Sequence, residues 1–302
     1  MTTTTAITGA IADVPPAPTL DNGAPISLRA VEKTWGEGDK KTRTVEAVDL
    51  EIRAGEFVCL LGPSGCGKST LLNMVAGLDV PSAGEIVVGG KKVVGPGPDR
   101  TVMFQESALF PWLSLRENIA FPLELAGVPR TEIAGRVDRV LRMVHLYRFA
   151  DSPIHTLSGG MRQRGALARA LVSDPGTLLM DEPFAALDAQ TRDVMYGELE
   201  HVWLATKKTV LFVTHNVREA VRLGDRIVVM ATRPGRVRKV IDVELPRPRS
   251  DADRNVSLLA AVVMNELREE IARVSREEAD DAWQMGADPG SPDRRVGLGG
   301  GL

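Results

Sequence analysis

Short apolar runs alternate with segments of helical periodicity through the middle of this chain. The runs are 57–61, 101–104, 177–180, 209–214 and 227–230. Such runs, without polar alternation, are typical of strands buried on both faces of a parallel sheet. Helical patterns separate most of them, and strands that alternate with helices predict an α/β fold with a mostly parallel sheet.

Two further regions depart from this alternation. Residues 26–52 alternate apolar and polar positions around a turn at 36–39, and 84–94 forms a similar, shorter pattern, so both predict antiparallel hairpins. Between 113 and 170, apolar residues recur three and four positions apart. We therefore expect an N-terminal antiparallel β subdomain and a helical subdomain inserted at about 108–165.

The two ends of the chain differ in character from the middle. Residues 1–25 are rich in Thr, Ala and Pro, and we expect a disordered tail there. Residues 245–249 predict a rigid linker, and apolar positions spaced along 256–274 predict an amphipathic helix. We place the globular domain at 26–245 and assign 246–302 to the linker, this helix and a disordered end.

Composition narrows the classes of protein. With 302 residues, a net charge of −3 and a pI of about 5.9, the chain lacks the basic character of a nucleic-acid-binding domain. Its two cysteines, Cys59 and Cys66, cannot build a disulfide framework, which favours a reducing compartment. No apolar run approaches the length of a membrane span, and the N-terminus lacks the features of a secretory signal. We expect a soluble, cytoplasmic protein without a nucleic-acid partner.

Residues 62–70 match the phosphate-binding pattern G-x-x-x-x-G-K-[ST], between an apolar run and a helical segment. Its glycines let backbone N–H groups face phosphate oxygens, and the following helix adds its positive end. Lys68 would reach the β- and γ-phosphates and act in catalysis, and Ser69 would bind Mg²⁺. The motif predicts a P-loop nucleotide site for a nucleoside triphosphate. Its residues are Gly62, Pro63, Ser64, Gly65, Cys66, Gly67, Lys68, Ser69 and Thr70.

Polar residues follow the other buried runs. Asp181 and Glu182 end one strand and His215 ends the next, and ligands bind at such strand ends in open α/β sheets. The small residues of 157–161, here called the signature segment, precede a predicted helix. Ser158 is positioned as its N-cap, which makes a second possible phosphate-binding helix start.

In this order, the P-loop, Gln105, the signature segment, the Asp-Glu pair and the histidine resemble the ATP-binding-cassette (ABC) ATPases over about 26–244. The resemblance implies that Trp35 stacks on adenine, although its spacing alone favours core packing. It implies that Gln105 touches Mg²⁺ and the attacking water, and that Asp181 binds Mg²⁺. It further implies that Glu182 is the general base and that His215 contacts the γ-phosphate of ATP.

The same resemblance implies that the site needs two copies of the cassette. Ser158, Gly159 and Gly160 of one copy would close on the ATP held by the P-loop of the other, with Asp188 between the two sites. The partners would be a second ATPase subunit, in a homodimer or with a close relative, and transmembrane permease subunits. A substrate-binding protein would act indirectly, and the protein would sit peripherally on the cytoplasmic face of the cell membrane.

Several shorter stretches are similar to the nitrate/sulfonate/taurine importer branch of this family. They are 95–100, 109–112, 184–192, 233–236 and 266–271. The branch implies an ATPase that energises import of nitrate, sulfonate, taurine or a similar small anion. The alternatives are an ABC ATPase of a lipid or efflux transporter, a soluble non-transport ABC protein, and another P-loop enzyme. Trp112 either belongs to an exposed surface for the permease or is buried in the helical insertion.

Overall fold

Two sheets and seven α-helices make up the described part of this chain. The structure is a computed structural model that describes residues 23–36, 38, 41–250 and 252–286, with side chains in the last helix described only to 273. The expected disorder of residues 1–22 and of those beyond 286 lies outside the described residues. No helix within the described ranges combines the length and apolarity of a membrane span.

The strands divide between two sheets. They are β1 (Ile26–Trp35), β2 (Thr42–Ile52), β3 (Phe57–Leu61), β4 (Ala83–Val88), β5 (Lys91–Lys92), β6 (Arg100–Met103), β7 (Thr177–Asp181), β8 (Thr209–Thr214), β9 (Arg226–Ala231) and β10 (Arg236–Asp242). The smaller sheet is antiparallel with the order β2-β1-β4-β5. The larger has the order β10-β9-β3-β8-β7-β6 and is parallel except for β10. The predicted α/β fold with an N-terminal antiparallel subdomain is confirmed.

The helices pack around the larger sheet. They are α1 (Lys68–Ala76), α2 (Leu115–Leu125), α3 (Arg130–Met143), α4 (Gly159–Leu171), α5 (Ala189–Thr206), α6 (Val217–Leu223) and α7 (Arg254–Gly286). The helical insertion comprises α2, α3 and the start of α4, which continues beyond the boundary that we placed at 165. Ser114 begins α2 with a capping box in which Glu117 is its partner.

The central strand β3 shows why its sequence is apolar throughout. Successive strand residues point to opposite faces of a sheet. Phe57, Cys59 and Leu61 enter the core beneath α2 to α7, whereas Val58 and Leu60 enter the core shared with α1 and the antiparallel sheet. Because both faces are covered, the end of this strand is fixed from two sides, and the loop that follows it starts from a rigid position.

Two expectations about the ends of the domain need correction, and one strand was missed. Residues 23–25 belong to the fold and not to a disordered tail, because Gly23 and Ala24 donate backbone hydrogen bonds to Lys207 (3.0 Å) and Gly176 (3.0 Å). Strand β10 was not predicted from its sequence, in which charged residues interrupt the apolar ones. The last helix continues to residue 286, beyond the end at 274 that the apolar spacing indicated.

The segment at 245–249 is more than a linker. Arg249 is 4% exposed, and its guanidinium donates to the carbonyl oxygens of Val221 (3.0 Å) and Gly224 (2.5 Å) at the end of α6. Arg247 forms ion pairs with Glu200 (2.9 Å) and Asp225 (2.8 Å). The two arginines therefore fasten the start of the C-terminal region to the ATPase core.

Candidate nucleotide site

The P-loop connects β3 to α1 and has the backbone that a phosphate cradle needs. Gly65 and Gly67 have φ values of +78° and +85°, in the left-handed region that favours glycine. A Cβ at Gly67 would lie 2.9 Å from Val45 Cγ2 and 3.1 Å from the Thr44 carbonyl oxygen. The loop thus turns tightly against β2, and a side chain at Gly67 has no room.

Lys68 lies in the first turn of α1 and is 5% exposed. Its Nζ donates to the backbone oxygens of Gly62 (2.9 Å) and Pro63 (2.8 Å), within the loop itself. These partners are neutral, so the positive charge of the ammonium group is available to an anion at the loop. The side chain is therefore held where a phosphate group would meet it.

Ser69 and Asp181 bring two oxygen donors together. Ser69 Oγ donates a hydrogen bond to Asp181 Oδ1 at 3.0 Å, across the gap between α1 and the end of β7. Burial raises the pKa of Asp181, and the hydrogen bond from Ser69 opposes this shift. A hydroxyl and a carboxylate are ligands suited to Mg²⁺, which proteins commonly bind through one or two carboxylates together with substrate phosphates. The pair fits the predicted metal site.

Glu182 and His215 meet at the ends of adjacent parallel strands. The Oε2 atom of Glu182 lies 2.9 Å from Nδ1 of His215. Glu182 has a φ of +45°, and its N–H donates to the Val213 carbonyl oxygen at 3.0 Å. The backbone hydrogen bond therefore holds Glu182 beside Asp181, and the imidazole of His215 orients the Glu182 carboxylate.

A buried polar group supports the histidine loop from below. Glu219 on α6 is 5% exposed and accepts hydrogen bonds from Thr214 Oγ1 and from the Tyr196 hydroxyl (2.9 Å). Thr214 in turn accepts from the N–H of Asn216 at 2.9 Å. Because His215 lies between these two residues, its backbone is fixed on both sides.

Trp35 lies at the end of β1 and is not part of the core. Trp35 is 49% exposed, so the core-packing interpretation is wrong for this ring. It pairs across the hairpin with Thr42, two residues before Thr44, the residue that contacts Gly67. Lys33 places its Nζ 4.1 Å from the ring centroid. The ring thus lies on the strand that pairs with β2, and Thr44 of β2 contacts the P-loop.

The signature segment begins a helix, as its sequence indicates. Ser158 is the N-cap of α4 and accepts from the N–H of Met161 at 3.3 Å. At Gly160 a Cβ would lie 2.7 Å from Thr191 Cγ2, so this helix start packs closely on α5. Asp188 caps α5 by accepting from the N–H of Thr191 at 2.9 Å. Within the described residues, no hydrogen bond joins Ser158 or Asp188 to the P-loop.

Gln105 lies in the loop after β6, the strand that pairs with β7. Its side chain is exposed, and in the described part of the chain it makes no hydrogen bond to Ser69 or Asp181. The fold therefore places Gln105 at the same edge of the sheet as the other site residues but does not bring it into contact with them.

Gly235 is a site residue that the sequence did not reveal. It lies in the turn between β9 and β10, and a Cβ there would be 2.2 Å from the carbonyl oxygen of Cys66 in the P-loop. Its N–H donates to Thr44 at 2.9 Å, and its carbonyl accepts from Glu46 at 2.8 Å. The motif at 233–236, noted as a habit of one importer branch, was the available signal. Gly235 thus allows the turn to pack closely against the P-loop.

Comparison with known proteins places these observations in a family. A family model described as ABC transporter matches residues 45–185. An uncharacterized ABC transporter ATP-binding protein of Methanocaldococcus jannaschii is 45% identical over 248 residues, or 82% of this chain and 93% of that relative. This chain belongs to the ABC transporter ATP-binding proteins. The predicted family is confirmed, and the chain is an ABC ATPase that binds ATP.

Named relatives of this ABC ATPase include a taurine import protein and a bicarbonate transport protein. The taurine import ATP-binding protein of Roseobacter denitrificans is 47% identical over 197 residues, 65% of this chain and 74% of that protein. The bicarbonate transport ATP-binding protein of Synechococcus elongatus is 44% identical over 232 residues, 76% of this chain but 35% of that protein. The predicted likeness to the importer branch is confirmed.

A solved structure resembles this ABC ATPase in fold. It is a dimeric ATP-binding cassette in a post-hydrolysis state with ADP and Pi, and it aligns with a TM-score of 0.64 and 34% identity. The alignment covers 73% of this chain and all of that chain.

Proposed function

We propose that this chain is the ATP-hydrolysing subunit of a membrane importer for taurine, another sulfonate, nitrate or a similar small anion. Two side-chain pairs at one edge of the sheet support the ATPase chemistry. Ser69 Oγ lies 3.0 Å from Asp181 Oδ1, and Glu182 Oε2 lies 2.9 Å from His215 Nδ1. The taurine import relative supports the importer, and the taurine and bicarbonate transport relatives support the class of small anion.

The site residues divide the work of phosphoryl transfer. Lys68 would exchange its two carbonyl partners for phosphate oxygens of ATP, with the N–H groups of 62–70 around them. Ser69 and Asp181 would hold Mg²⁺, which neutralises charge on the phosphates. Glu182 would orient and deprotonate the attacking water, and His215 would hold that carboxylate in direction. Gln105 would join this group after a movement of its loop.

The exposed signature segment supports a two-copy site. Ser158 is exposed, and it caps α4 at the end where the backbone N–H groups of a helix can bind a phosphate. We propose that Ser158, Gly159 and Gly160 of a second copy complete the site, with Asp188 setting the start of α5 beside them. The structural relative is itself a dimer with nucleotide bound.

An aromatic surface on the helical insertion is the proposed docking site for the permease. Trp112 is 76% exposed, so the alternative of a buried ring is wrong. Phe110 lies between it and Phe121, with ring centroids 5.3 Å and 4.9 Å away. Leu125, 80% exposed, extends this apolar area. An exposed aromatic cluster is typical of protein interfaces. A substrate-binding protein would reach this chain only through the permease.

Purification from membranes tests this proposal. The tagged full chain is isolated from detergent-solubilised membranes, and the accompanying proteins are identified by mass spectrometry. We expect a polytopic permease with the wild-type chain and its loss with Trp112→Ala, because the ring supplies apolar contact area. The control is Val94→Ala, which truncates another exposed apolar residue, 86% exposed and outside the helical insertion. Equal recovery of the permease with all three chains would contradict the docking surface.

A further inference from the structure

Side chains of the C-terminal helix α7 form hydrogen bonds with the backbone of one core residue, Thr232. Glu270 accepts a hydrogen bond from the N–H of Thr232 at 2.8 Å, and Arg273 donates one to the Thr232 carbonyl oxygen at 2.8 Å. Glu270 is 1% exposed and Thr232 is 4% exposed, so the hydrogen bond between them is shielded from water. Both polar backbone groups of Thr232 are therefore satisfied by α7 and not by the sheet.

Thr232 begins the turn whose other end touches the P-loop. It follows directly on β9, and Gly235, three residues later, packs against the carbonyl of Cys66 and pairs with Thr44. The turn is short, so a shift of Thr232 is transmitted to Gly235. The helix and the phosphate cradle are thus connected through four consecutive residues.

The α7 end of this connection is rigid. Besides Thr232, Glu270 accepts from Arg238 on β10 at 3.1 Å and from Arg273. Leu267 and Val263, one and two helical turns earlier, are buried in the main core. Hydrogen bonds between ionised groups are about twice as strong as neutral ones, and buried networks of this kind hold a single geometry.

We infer that Glu270 is a positioning residue for the nucleotide site, through which the C-terminal helix sets the turn that braces the P-loop. This inference rests on the proposed binding of ATP at 62–70. Coupling between two sites is reciprocal. Nucleotide at the P-loop therefore stabilises the docked position of α7, and a partner that pulls α7 away lowers the affinity for ATP.

Steady-state kinetics of the full chain separate this role from a general loss of stability. We expect Glu270→Ala to raise the KM for ATP about tenfold, or about 1.4 kcal/mol of binding energy, with kcat nearly unchanged. Glu270→Gln should have a smaller effect, because its amide oxygen still accepts from the Thr232 N–H. Glu269→Ala is the matched control. It removes a carboxylate one position away that also pairs with Arg238, at 2.6 Å, on an exposed part of the helix.

Hydrogen exchange distinguishes the positioning role of Glu270 from a purely structural one, because a purely structural role would leave the effect of nucleotide on α7 unchanged. Amides of 254–273 are followed with and without a non-hydrolysable ATP analogue. In the wild-type chain and in Glu269→Ala we expect nucleotide to slow their exchange. In Glu270→Ala protection should be confined to the P-loop region. If Glu270→Ala does not fold, the same comparison is made with Glu270→Gln.

The outcomes distinguish this inference from the proposed nucleotide site. An unchanged KM and unchanged nucleotide-dependent protection of α7 in the Glu270 variants would overturn the inference. Lys68→Ala is included as a reference and should lose nucleotide binding. If Lys68→Ala binds ATP as the wild type does, the nucleotide site itself is wrong, whatever the Glu270 variants show.

Discussion

Glu182 combines three features that suit a general base. It directly follows the proposed Mg²⁺ ligand Asp181, it is 2.9 Å from His215, and its backbone has a φ of +45°. Non-glycine residues in the left-handed region are uncommon and tend to occur where structure constrains them for function. Here the hydrogen bond from its N–H to Val213 holds that conformation.

Removing this charge should separate binding from hydrolysis. We expect Glu182→Gln to bind ATP while kcat falls by about 10²–10⁴-fold, because the proton acceptor is lost and the phosphate cradle stays. Turnover and equilibrium nucleotide binding are measured on the same preparation. Near-normal turnover would show that another group accepts the proton.

Glu270 also predicts a dependence of stability on pH. Burial alone would raise its pKa, but hydrogen bonds from Arg273, Thr232 and Arg238 together lower it from 4.5 to about 2. A lowered folded-state pKa contributes stability above the unfolded value, and this contribution is lost as pH falls. The difference in free energy of unfolding between the wild type and Glu270→Gln should therefore narrow from about pH 4.5 towards about pH 2. A difference that is constant over that range in denaturant titrations would contradict the ionised network.

At the scale of elements, the β9–β10 turn links three parts of the fold. It touches the P-loop through Gly235, the antiparallel hairpin through Thr44, and α7 through Thr232. The P-loop is thus held by β3 and α1 along the chain and by a distant turn from the side.

Substitution of Gly235 tests the bracing of the P-loop. A Cβ there would lie 2.2 Å from the Cys66 carbonyl oxygen, a backbone atom that cannot move without distorting the loop. We expect Gly235→Ala to raise the KM for ATP about tenfold. Gly135→Ala in α3, where a Cβ would meet nothing within 4 Å, is the control and should leave the KM unchanged. An equal KM in both variants would show that the turn is free to adjust.

The elements show how far sequence patterns extended. The buried strands and the P-loop were predicted because strand, loop and helix follow one another along the chain. Strand β10 was missed because charged residues interrupt its apolar ones, although its partner β9 is adjacent in the chain. The contacts of Arg247 and Arg249 were missed because their partners lie far away in sequence. Periodicity reports which face of an element is buried, but not which distant element covers it.

At the scale of the whole molecule, the cassette has a phosphate cradle and a separate helix, α4, that begins at the exposed Ser158. We propose that two copies face each other so that each signature segment closes the other's P-loop. Loss of the γ-phosphate after hydrolysis would remove contacts to both copies and favour the open dimer.

Mixing two inactive variants tests the closure between copies. Lys68→Ala disables the P-loop and Ser158→Arg disables the signature segment, so each homodimer lacks every intact site. A mixed dimer contains one intact pair, and we expect the mixture to regain part of the ATPase activity. Circular dichroism confirms that each variant is folded. A mixture as inactive as its components would count against a site shared between copies.

The sequence by itself determined the family, the parallel core and the position of the phosphate cradle, because each of these depends on residues adjacent in the chain. Only the tertiary structure decided that Ser69 meets Asp181, that Trp35 is exposed with Lys33 over its ring, and that Gly235 packs against the P-loop. The same holds for Glu270, whose partner Thr232 is 38 residues away. Such contacts depend on how elements pack together, and no local pattern of apolar and polar residues specifies that packing.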